Sequence, residues 1–338
     1  MSQTLITTAT QLLAHDKGLL AMDESNATCN KMFAKLGIPQ TPEARRAYRE
    51  LLVTTPGLAE AISGVILYDE TIRQTTADGT PFVMAITGLG FLAGIKVDIG
   101  AKDMAGHLGE TVTEGLDGLR DRLREYSELG ARFAKWRAVF AVGAGLPTRA
   151  CIEANAHALA RYAALCQEAG IVPVVEPEVL MQGDHSLDQC FEITEAVLRT
   201  VFDQLYAQGV ALEGMILKPN MVLPGVSAVL QDPVDTVADA TVRCLLQSVP
   251  AAVAGIAFLS GGQSGELATT RLNAMHVRFR GHMPWPLTFS FARAIQGPAL
   301  EIWRGKESQV RAAQQALLDH ATDNRAARRG EYHAAVAT

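Results

Sequence analysis

The stretch Gly214-Met215-Ile216-Leu217-Lys218-Pro219-Asn220-Met221 places a lysine directly behind a run of apolar residues. The run predicts a buried strand over residues 214–218 that ends in Lys218. Burial in apolar surroundings disfavours an ammonium, which leaves a neutral amine able to attack a carbonyl and form an imine. Alternatively, the stem of Lys218 lies along the strand while its head reaches water. The residues at the ends of the other strands decide between these interpretations.

Short apolar segments alternate with longer segments of helical period, which predicts a parallel sheet with intervening helices. In segment 154–170, for example, apolar residues recur at i, i+3, i+4 and i+7 from Leu159, and a glycine follows. The predicted strands are residues 18–23, 62–68, 94–97, 133–137, 172–176, 214–218, 254–260 and 286–291. Eight such strands in one chain predict an α/β fold, a closed (β/α)8 TIM barrel forming a single domain. The domain covers residues 1–330, ends in a helix over 307–329, and leaves a short, disordered tail over 331–338.

A doubly wound Rossmann sheet is the alternative architecture, and it requires Gly-x-Gly-x-x-Gly directly after the first strand. The first strand runs instead into Met22-Asp23-Glu24-Ser25. The segment Thr87-Gly88-Leu89-Gly90 has only two glycines and precedes a strand, so we interpret it as a turn. These features favour the barrel.

Composition excludes several classes of function. A formal net charge of −6 gives no general attraction to nucleic acid or to a membrane surface. The longest apolar run, residues 249–259, is far shorter than the roughly 20 residues that span a bilayer, and residues 1–14 lack the pattern of a signal peptide. Five widely spaced cysteines without Cys-x-x-Cys, and histidines without ligand spacing, predict reduced thiols in the cytoplasm and no metal or cofactor.

Polar and ionisable residues fall at or just beyond the predicted ends of seven strands. They are Asp23, Lys96, Lys135, Arg137, Glu176, Glu178, Lys218, Ser260 and Arg293. In a (β/α)8 barrel the C-terminal strand ends meet at one face, where active sites are built. One such residue means little, but the whole set predicts a site.

Lys135 and Arg137 are two residues apart, as are Glu176 and Glu178, so each pair leaves one side of its strand. Two cations then face two carboxylates across neighbouring strands. An ion-pair network that holds the barrel mouth together explains Arg137 and Glu178 equally well. For Lys135 and Glu176 we favour catalysis, because both should lie near the amine of Lys218, where a carboxylate can move protons during imine formation.

Two anion sites are predicted at the same face. Ser260-Gly261-Gly262 follows a strand, and a glycine pair lets consecutive N–H groups turn toward one anion. Alone this is more often an ordinary turn, but Arg293 after the adjacent strand can add a bidentate contact to the same phosphate. Across the barrel mouth, Lys96 and Ser25 are candidates for a second anion, with a solvated surface lysine as the alternative.

With these residues in place, the chain resembles the class I fructose-1,6-bisphosphate aldolases over about residues 7–296. The matching motifs are Leu20-Ala21-Met22-Asp23-Glu24-Ser25, Gly94-Ile95-Lys96-Val97-Asp98, Phe133-Ala134-Lys135-Trp136-Arg137, Val175-Glu176-Pro177-Glu178, Leu217-Lys218-Pro219-Asn220-Met221 and Phe258-Leu259-Ser260-Gly261-Gly262-Gln263-Ser264. The resemblance implies a cytoplasmic, metal-independent homotetramer that interconverts fructose 1,6-bisphosphate with dihydroxyacetone phosphate and glyceraldehyde 3-phosphate in glycolysis and gluconeogenesis.

The resemblance also implies a role for each residue. Lys218 forms the imine with the C2 ketone, Glu176 is its acid and base, and Asp23 accepts the C4 hydroxyl proton while Lys135 holds charge near both. The substrate-binding residues it implies are Ser260, Gly261, Gly262 and Arg293 for the C1 phosphate, Ser25 and Lys96 for the C6 phosphate, and Arg137 and Glu178 in addition.

The chain departs from the family pattern at three places. Animal members end in a tyrosine that helps exchange the proton at the enamine carbon, whereas this chain ends Ala334-Ala335-Val336-Ala337-Thr338, and we predict that Tyr332 does not replace that tyrosine. The family's Gly-Arg pair is Ala292-Arg293 here, and Met32 stands where the family has a basic residue. The preference between fructose 1,6-bisphosphate and fructose 1-phosphate therefore stays open.

Three other functions are compatible with parts of the pattern. Another imine-forming barrel enzyme, such as a transaldolase or a keto-acid lyase, would share the lysine without needing two anion sites. A barrel kept only for binding or assembly would have no use for Lys218, Asp23 and Glu176. A metal-dependent aldolase would be sensitive to chelators.

Overall fold

Eight parallel strands close into a barrel in the computed structural model, which describes residues 2–334. The barrel strands are β1 (Gly18–Ala21), β2 (Ile62–Leu67), β3 (Leu92–Lys96), β6 (Phe133–Phe140), β7 (Val172–Val179), β8 (Ile216–Leu217), β9 (Gly255–Phe258) and β10 (Leu287–Phe291). β1 pairs with both β2 and β10, which closes the ring. The predicted single-domain (β/α)8 barrel is confirmed.

Helices connect successive strands and pack around the barrel. They are α1 (Ser2–Leu13), α2 (Asn26–Leu36), α3 (Pro42–Val53), α4 (Asp69–Ile72), α5 (Phe82–Gly88), α6 (Leu119–Glu128), α7 (Arg149–Glu168), α8 (Leu187–Ala207), α9 (Val234–Ser248), α10 (Gly265–Arg278), α11 (Arg293–Trp303) and α12 (Val310–Arg329). The helix predicted within 154–170 is α7, which begins earlier because the Thr148 side chain accepts a hydrogen bond from the N–H of Cys151.

The N-terminal helix α1 covers the end of the barrel where the strands begin. Its Leu5 and Leu12 are buried in one cluster with Phe133 and Val172, the first residues of β6 and β7. Space inside the barrel is tight here, since a Cβ added to Gly94 would lie 2.3 Å from the ring of Phe133. This end is therefore packed with apolar side chains.

Several strand bounds differ from those predicted. β8 has two residues instead of five, because a 3-10 turn occupies Leu212–Gly214 and Pro219 has no N–H for the ladder. β6 and β7 each run three residues beyond the predicted ends at Arg137 and Glu176. An antiparallel hairpin of β4 (Gly100–Asp103) and β5 (Thr111–Glu114), outside the barrel, was not predicted.

The end of the chain is described only in part. The last helix, predicted from residue 307, begins as a 3-10 turn over Glu307–Gln309 before α12. Beyond α12, the N–H of Tyr332 donates to Asn273 Oδ1 at 2.9 Å. Residues 335–338 of the predicted disordered tail lie outside the described residues. Within residues 2–334, every helix is too short or too polar to cross a bilayer.

Candidate active site

One cavity of about 530 Å³ opens at the C-terminal end of the barrel strands, and all twelve predicted site residues line it. These residues are Asp23, Ser25, Lys96, Lys135, Arg137, Glu176, Glu178, Lys218, Ser260, Gly261, Gly262 and Arg293. They come from seven different strands or the loops that follow them. The side chains at these strand ends therefore meet in one cavity, as expected for this fold.

Lys218 lies directly beyond β8, with its side chain in the cavity wall and only 4% exposed. The backbone N–H of Lys218 donates to Val175 O on β7 at 2.8 Å, which fixes the residue beside the neighbouring strand. Two residues on, the buried Asn220 Oδ1 accepts a hydrogen bond from the N–H of Val179 at 2.9 Å. A side-chain amide thus continues the pairing that Pro219 interrupts. The alternative in which the head of Lys218 reaches bulk water is wrong.

Lys218 belongs to a buried cluster of two ammonium and two carboxylate groups. Its Nζ lies 3.2 Å from Glu176 Oε1, and Lys135 Nζ lies 3.3 Å from Glu176 Oε2 and 2.7 Å from Asp23 Oδ2. Glu176 Oε2 is buried without an aligned hydrogen bond among residues 2–334. The charges balance, which is the condition for keeping four ionisable groups out of water.

At three of these groups, charge pairing shifts the pKa more than burial does. Burial raises the pKa of Asp23, but the ammonium groups of Lys135 and Lys218 lower it more, so the net shift is downward. The pKa of Glu176 is lowered in the same way against its burial by Lys135, Lys218 and Arg137. Burial lowers the pKa of Lys135, yet the carboxylates of Asp23 and Glu176 raise it well above its usual range. Both carboxyl groups therefore stay ionised, and Lys135 stays charged at neutral pH.

A second ion pair lies farther out on the same two strands. Arg137 Nε contacts Glu178 Oε2 at 2.5 Å, one step toward the cavity mouth from the contact between Lys135 and Glu176. The N–H of Arg137 donates to Asp98 Oδ2 at 3.2 Å, which anchors β6 to the loop after β3. Two cations face two carboxylates across neighbouring strands, as predicted.

The first predicted anion site lies where the loop after β9 meets the start of α11. Gly261 and Gly262 have φ values of 61° and 91°, a conformation that favours glycine. Within the described chain, the N–H groups of Gly261, Gly262 and Arg293 have no protein acceptor. Arg293 is the first residue of α11, so the positive end of the helix dipole adds to its guanidinium.

The second predicted anion site lies at the start of α2. Ser25 caps this helix, because its hydroxyl accepts a hydrogen bond from the N–H of Thr28 at 3.3 Å. Lys96 Nζ lies 3.4 Å from Asp98 Oδ1 and 5.9 Å from the ring centre of Tyr68. Asp98 thus partly neutralises Lys96 at this end of the cavity.

Sequence reasoning missed the rest of α2. Thr28, Lys31 and Lys35 also line the cavity, and both lysines are exposed. Their spacing of three, four and seven residues places them on one helix face, so the helical period could have revealed them. They add two positive charges on the same side as Ser25.

A buried network behind Asp23 was also missed. Arg49 on α3 donates to Glu24 Oε2 at 2.7 Å and to the backbone carbonyl of Glu24 at 3.2 Å. Gln296 on α11 donates to Glu24 Oε1 and, at 3.2 Å, to Ala21 O. The segment that carries Asp23 is thereby tied to α11, the helix that begins with Arg293.

The chemistry available to this cavity is proton transfer and covalent attack. Within the described residues 2–334, no three His, Cys, Asp or Glu side chains are grouped so that they could hold a metal ion. The amine of Lys218 lies beside the carboxylate of Glu176, and the carboxylate of Asp23 lies beside the ammonium of Lys135. Cationic groups line both ends of the cavity. This set fits an enzyme that binds a doubly anionic carbonyl compound and forms an imine with it.

Comparison with known proteins agrees with this geometry. The family model for class I fructose-bisphosphate aldolase matches residues 4–338. The chain is 54% identical over 331 residues to a probable class 1 fructose-bisphosphate aldolase of Xanthomonas campestris pv. campestris, covering 98% of each sequence. It is 49% identical over 328 residues to the cytosolic fructose-bisphosphate aldolase 6 of Arabidopsis thaliana, covering 97% of this chain and 91% of that protein.

A solved structure shows the same fold. The chain resembles fructose-bisphosphate aldolase from Plasmodium falciparum, crystallised in complex with TRAP and a small-molecule inhibitor. The TM-score is 0.97 at 43% identity, and the match covers 99% of this chain and 96% of that one. The chain therefore belongs to the class I fructose-bisphosphate aldolases, the lyases that cleave their substrate without a metal ion.

Proposed function

We propose that this aldolase reversibly cleaves fructose 1,6-bisphosphate to dihydroxyacetone phosphate and glyceraldehyde 3-phosphate through an imine on Lys218. One observation carries the proposal, namely the 3.2 Å contact between the buried Lys218 Nζ and Glu176 Oε1. A lysine so placed can give a proton to the adjacent carboxylate and attack as the neutral amine.

Each member of the cluster then has one task. Lys218 attacks C2, and Glu176 delivers and removes the protons needed to expel water from the carbinolamine. Asp23 accepts the C4 hydroxyl proton while the C3–C4 bond breaks, and the bonding electrons pass into the protonated imine to give an enamine. Lys135, 2.7 Å from Asp23, keeps that carboxyl ionised and ready to accept the proton.

The two ends of the cavity hold the phosphates in this proposal. Ser260, Gly261, Gly262 and Arg293 bind the C1 phosphate, supported by free N–H groups and the start of α11. Ser25 and Lys96 bind the C6 phosphate at the start of α2. Arg137 and Glu178 lie between these ends and orient substrate hydroxyl groups.

Borohydride trapping tests the proposal. Wild-type protein is incubated with dihydroxyacetone phosphate, reduced, digested and examined by peptide mass spectrometry. We expect an adduct confined to the peptide that contains Lys218, and no adduct in Lys218→Met. Lys306→Met, which removes a lysine that does not line the cavity, is the matched control. An adduct at another lysine, or activity on unphosphorylated keto acids with none on the bisphosphate, contradicts the proposal.

Two further properties are proposed from family membership. The chain forms a homotetramer, and light scattering should give about four times the 36.2 kDa of one chain. Its location is the cytoplasm, a proposal supported by the Arabidopsis relatives described as cytosolic. Fractionation of cells that express a tagged chain tests the location.

A further inference from the structure

The first residue of α10, Gly265, lies in very close contact with the first turn of α11. A Cβ added to Gly265 would lie 2.5 Å from the carbonyl oxygen of Ala294, and 3.5 Å from its carbonyl carbon. The obstacle is backbone, so no side-chain rotation can relieve it. Any larger residue at position 265 must push the start of α10 and the start of α11 apart by about half an ångström or more.

The first turn of α11 depends on such contacts more than an ordinary helix does. Residue 298 would normally donate its N–H to Ala294 O, but this residue is Pro298, which has no N–H. Ala292, the residue before the helix, provides no side-chain cap. Besides its remaining backbone bonds and the packing of the buried Ala294 and Ile295, the turn has the close contact at Gly265 on one side and the hydrogen bonds of Gln296 on the other.

Arg293 immediately precedes Ala294, and the loop with Gly261 and Gly262 immediately precedes α10. The contact at Gly265 therefore sets the distance between the two groups of N–H donors assigned to the C1 phosphate. Hydrogen bonds to an anion weaken steeply when the donors are displaced. A separation of the two helix starts would affect that phosphate before it affects Lys218, which lies on another strand.

We propose that Gly265 is a positioning residue for the C1 phosphate, because the missing side chain lets α10 and α11 present their N-terminal ends to one anion. This inference rests on the proposed function of the cavity. It assigns Gly265 no contact with the substrate, and its effect passes through Ala294 and Arg293.

The test compares Gly265→Ala with Gly297→Ala. Both are helical glycines without positive φ, but a Cβ on Gly297 would meet nothing within 4 Å, so it controls for the change in helix propensity. The substrate is fructose 1-phosphate, which carries only the C1 phosphate. For Gly265→Ala we expect KM to rise about tenfold, and the inhibition constant of inorganic phosphate to rise in proportion. Gly297→Ala should match the wild type.

Imine formation with unphosphorylated dihydroxyacetone, trapped by borohydride, is measured on the same variants. It should be unchanged in Gly265→Ala, because this compound makes no use of the phosphate site. Equal KM values for the two variants overturn the inference. An equal loss of imine trapping with dihydroxyacetone and with dihydroxyacetone phosphate also overturns it, because that result indicates general damage. Failure of the wild type to form an imine at Lys218 refutes the proposed function itself.

Discussion

Lys135 is an ammonium held between two carboxylates, and its charge sets the ionisation of Asp23. In Lys135→Met, burial still raises the pKa of Asp23, but the largest opposing charge is gone. The pKa of that carboxyl should therefore rise. Because Asp23 must be ionised to accept a proton, the acidic limb of the kcat/KM profile should move to higher pH. Measuring kcat/KM for fructose 1,6-bisphosphate from pH 4 to 9 checks the shift.

Lys135→Arg serves as the control, since it keeps the positive charge at this position. Its acidic limb should stay near that of the wild type even if kcat falls through altered geometry. An acidic limb that moves equally in both variants, or in neither, would show that Lys135 does not act through the ionisation of Asp23.

At the scale of single residues, the sequence predicts the inner site well. The period of two along a strand places Lys135 with Arg137, and Glu176 with Glu178, on the cavity side. Glu24 could not be predicted in the same way, since its partners Arg49 and Gln296 lie on α3 and α11. Contacts between side chains remote in sequence follow from how the helices pack, which the strand period does not specify.

The helix α2 presents a charged face to the cavity, and this face should decide between substrates. In the proposed pose, the C6 phosphate of fructose 1,6-bisphosphate lies on the side of the cavity that Lys31 and Lys35 also line, whereas fructose 1-phosphate has no phosphate there. In Lys35→Met we expect KM for the bisphosphate to rise about three- to tenfold, the range for an exposed charge pair of roughly 1 kcal/mol. Steady-state kinetics with both sugars checks this, and KM for fructose 1-phosphate should not change.

Lys35 is a candidate to replace the positive charge that the family has at the position of Met32. If Lys35 supplies the charge absent at Met32, then Met32→Lys in the Lys35→Met background should restore the lower KM. Equal effects of Lys35→Met on both sugars would instead assign the lysine a general electrostatic role.

The strand β8 is too short to hold Lys218 by backbone pairing alone. Ile216 and Leu217 pair with β7, and the N–H of Lys218 donates to Val175 O. Beyond Pro219, Asn220 supplies the next link to β7 through its contact with Val179. Asn220→Leu should slow imine trapping by about 10- to 100-fold, because Lys218 loses its fixed approach to Glu176. The trapping rate with dihydroxyacetone phosphate is the measurement.

Thr194→Val provides the matched control for Asn220. It removes one acceptor of the Asn220 amide, at 3.2 Å, and a 3.8 Å contact with Cys190 Sγ, and it leaves the bond to Val179 in place. Imine trapping in Thr194→Val should stay close to the wild-type rate. If Asn220→Leu traps the imine as fast as the wild type, Asn220 has no part in positioning Lys218.

For the whole molecule, the eight apolar segments were enough to predict the barrel, because strands that are buried on both faces are mostly apolar. The hairpin of β4 and β5 could not be predicted, because it is not buried on both faces. Residues 101–103 of β4 are exposed, so they carry no apolar pattern. The bounds of β8 are set by Pro219 and by the 3-10 turn that precedes the strand. The apolar run over residues 214–217 shows neither limit, so the strand was predicted too long.

Mutations at the two ends of the barrel should have separable effects on stability and on activity. Leu12 of α1 is fully buried where the strands begin, and Lys218 lies at the opposite end. Leu12→Ala should lower the free energy of unfolding by about 2–5 kcal/mol through the cavity it leaves. The polar site should keep its geometry, so kcat/KM of the folded protein should stay within about twofold of the wild type.

Lys218→Met changes the opposite end of the barrel. Cleavage and imine trapping should be lost, and the free energy of unfolding should also fall, because the buried cluster then holds two carboxylates and one ammonium and its charges no longer balance. Urea denaturation at one fixed protein concentration and kcat/KM at a temperature where both variants are folded give the comparison. A fall in kcat/KM of folded Leu12→Ala in proportion to its lost stability would mean that the apolar end governs the geometry of the imine site, and that the two ends do not act independently.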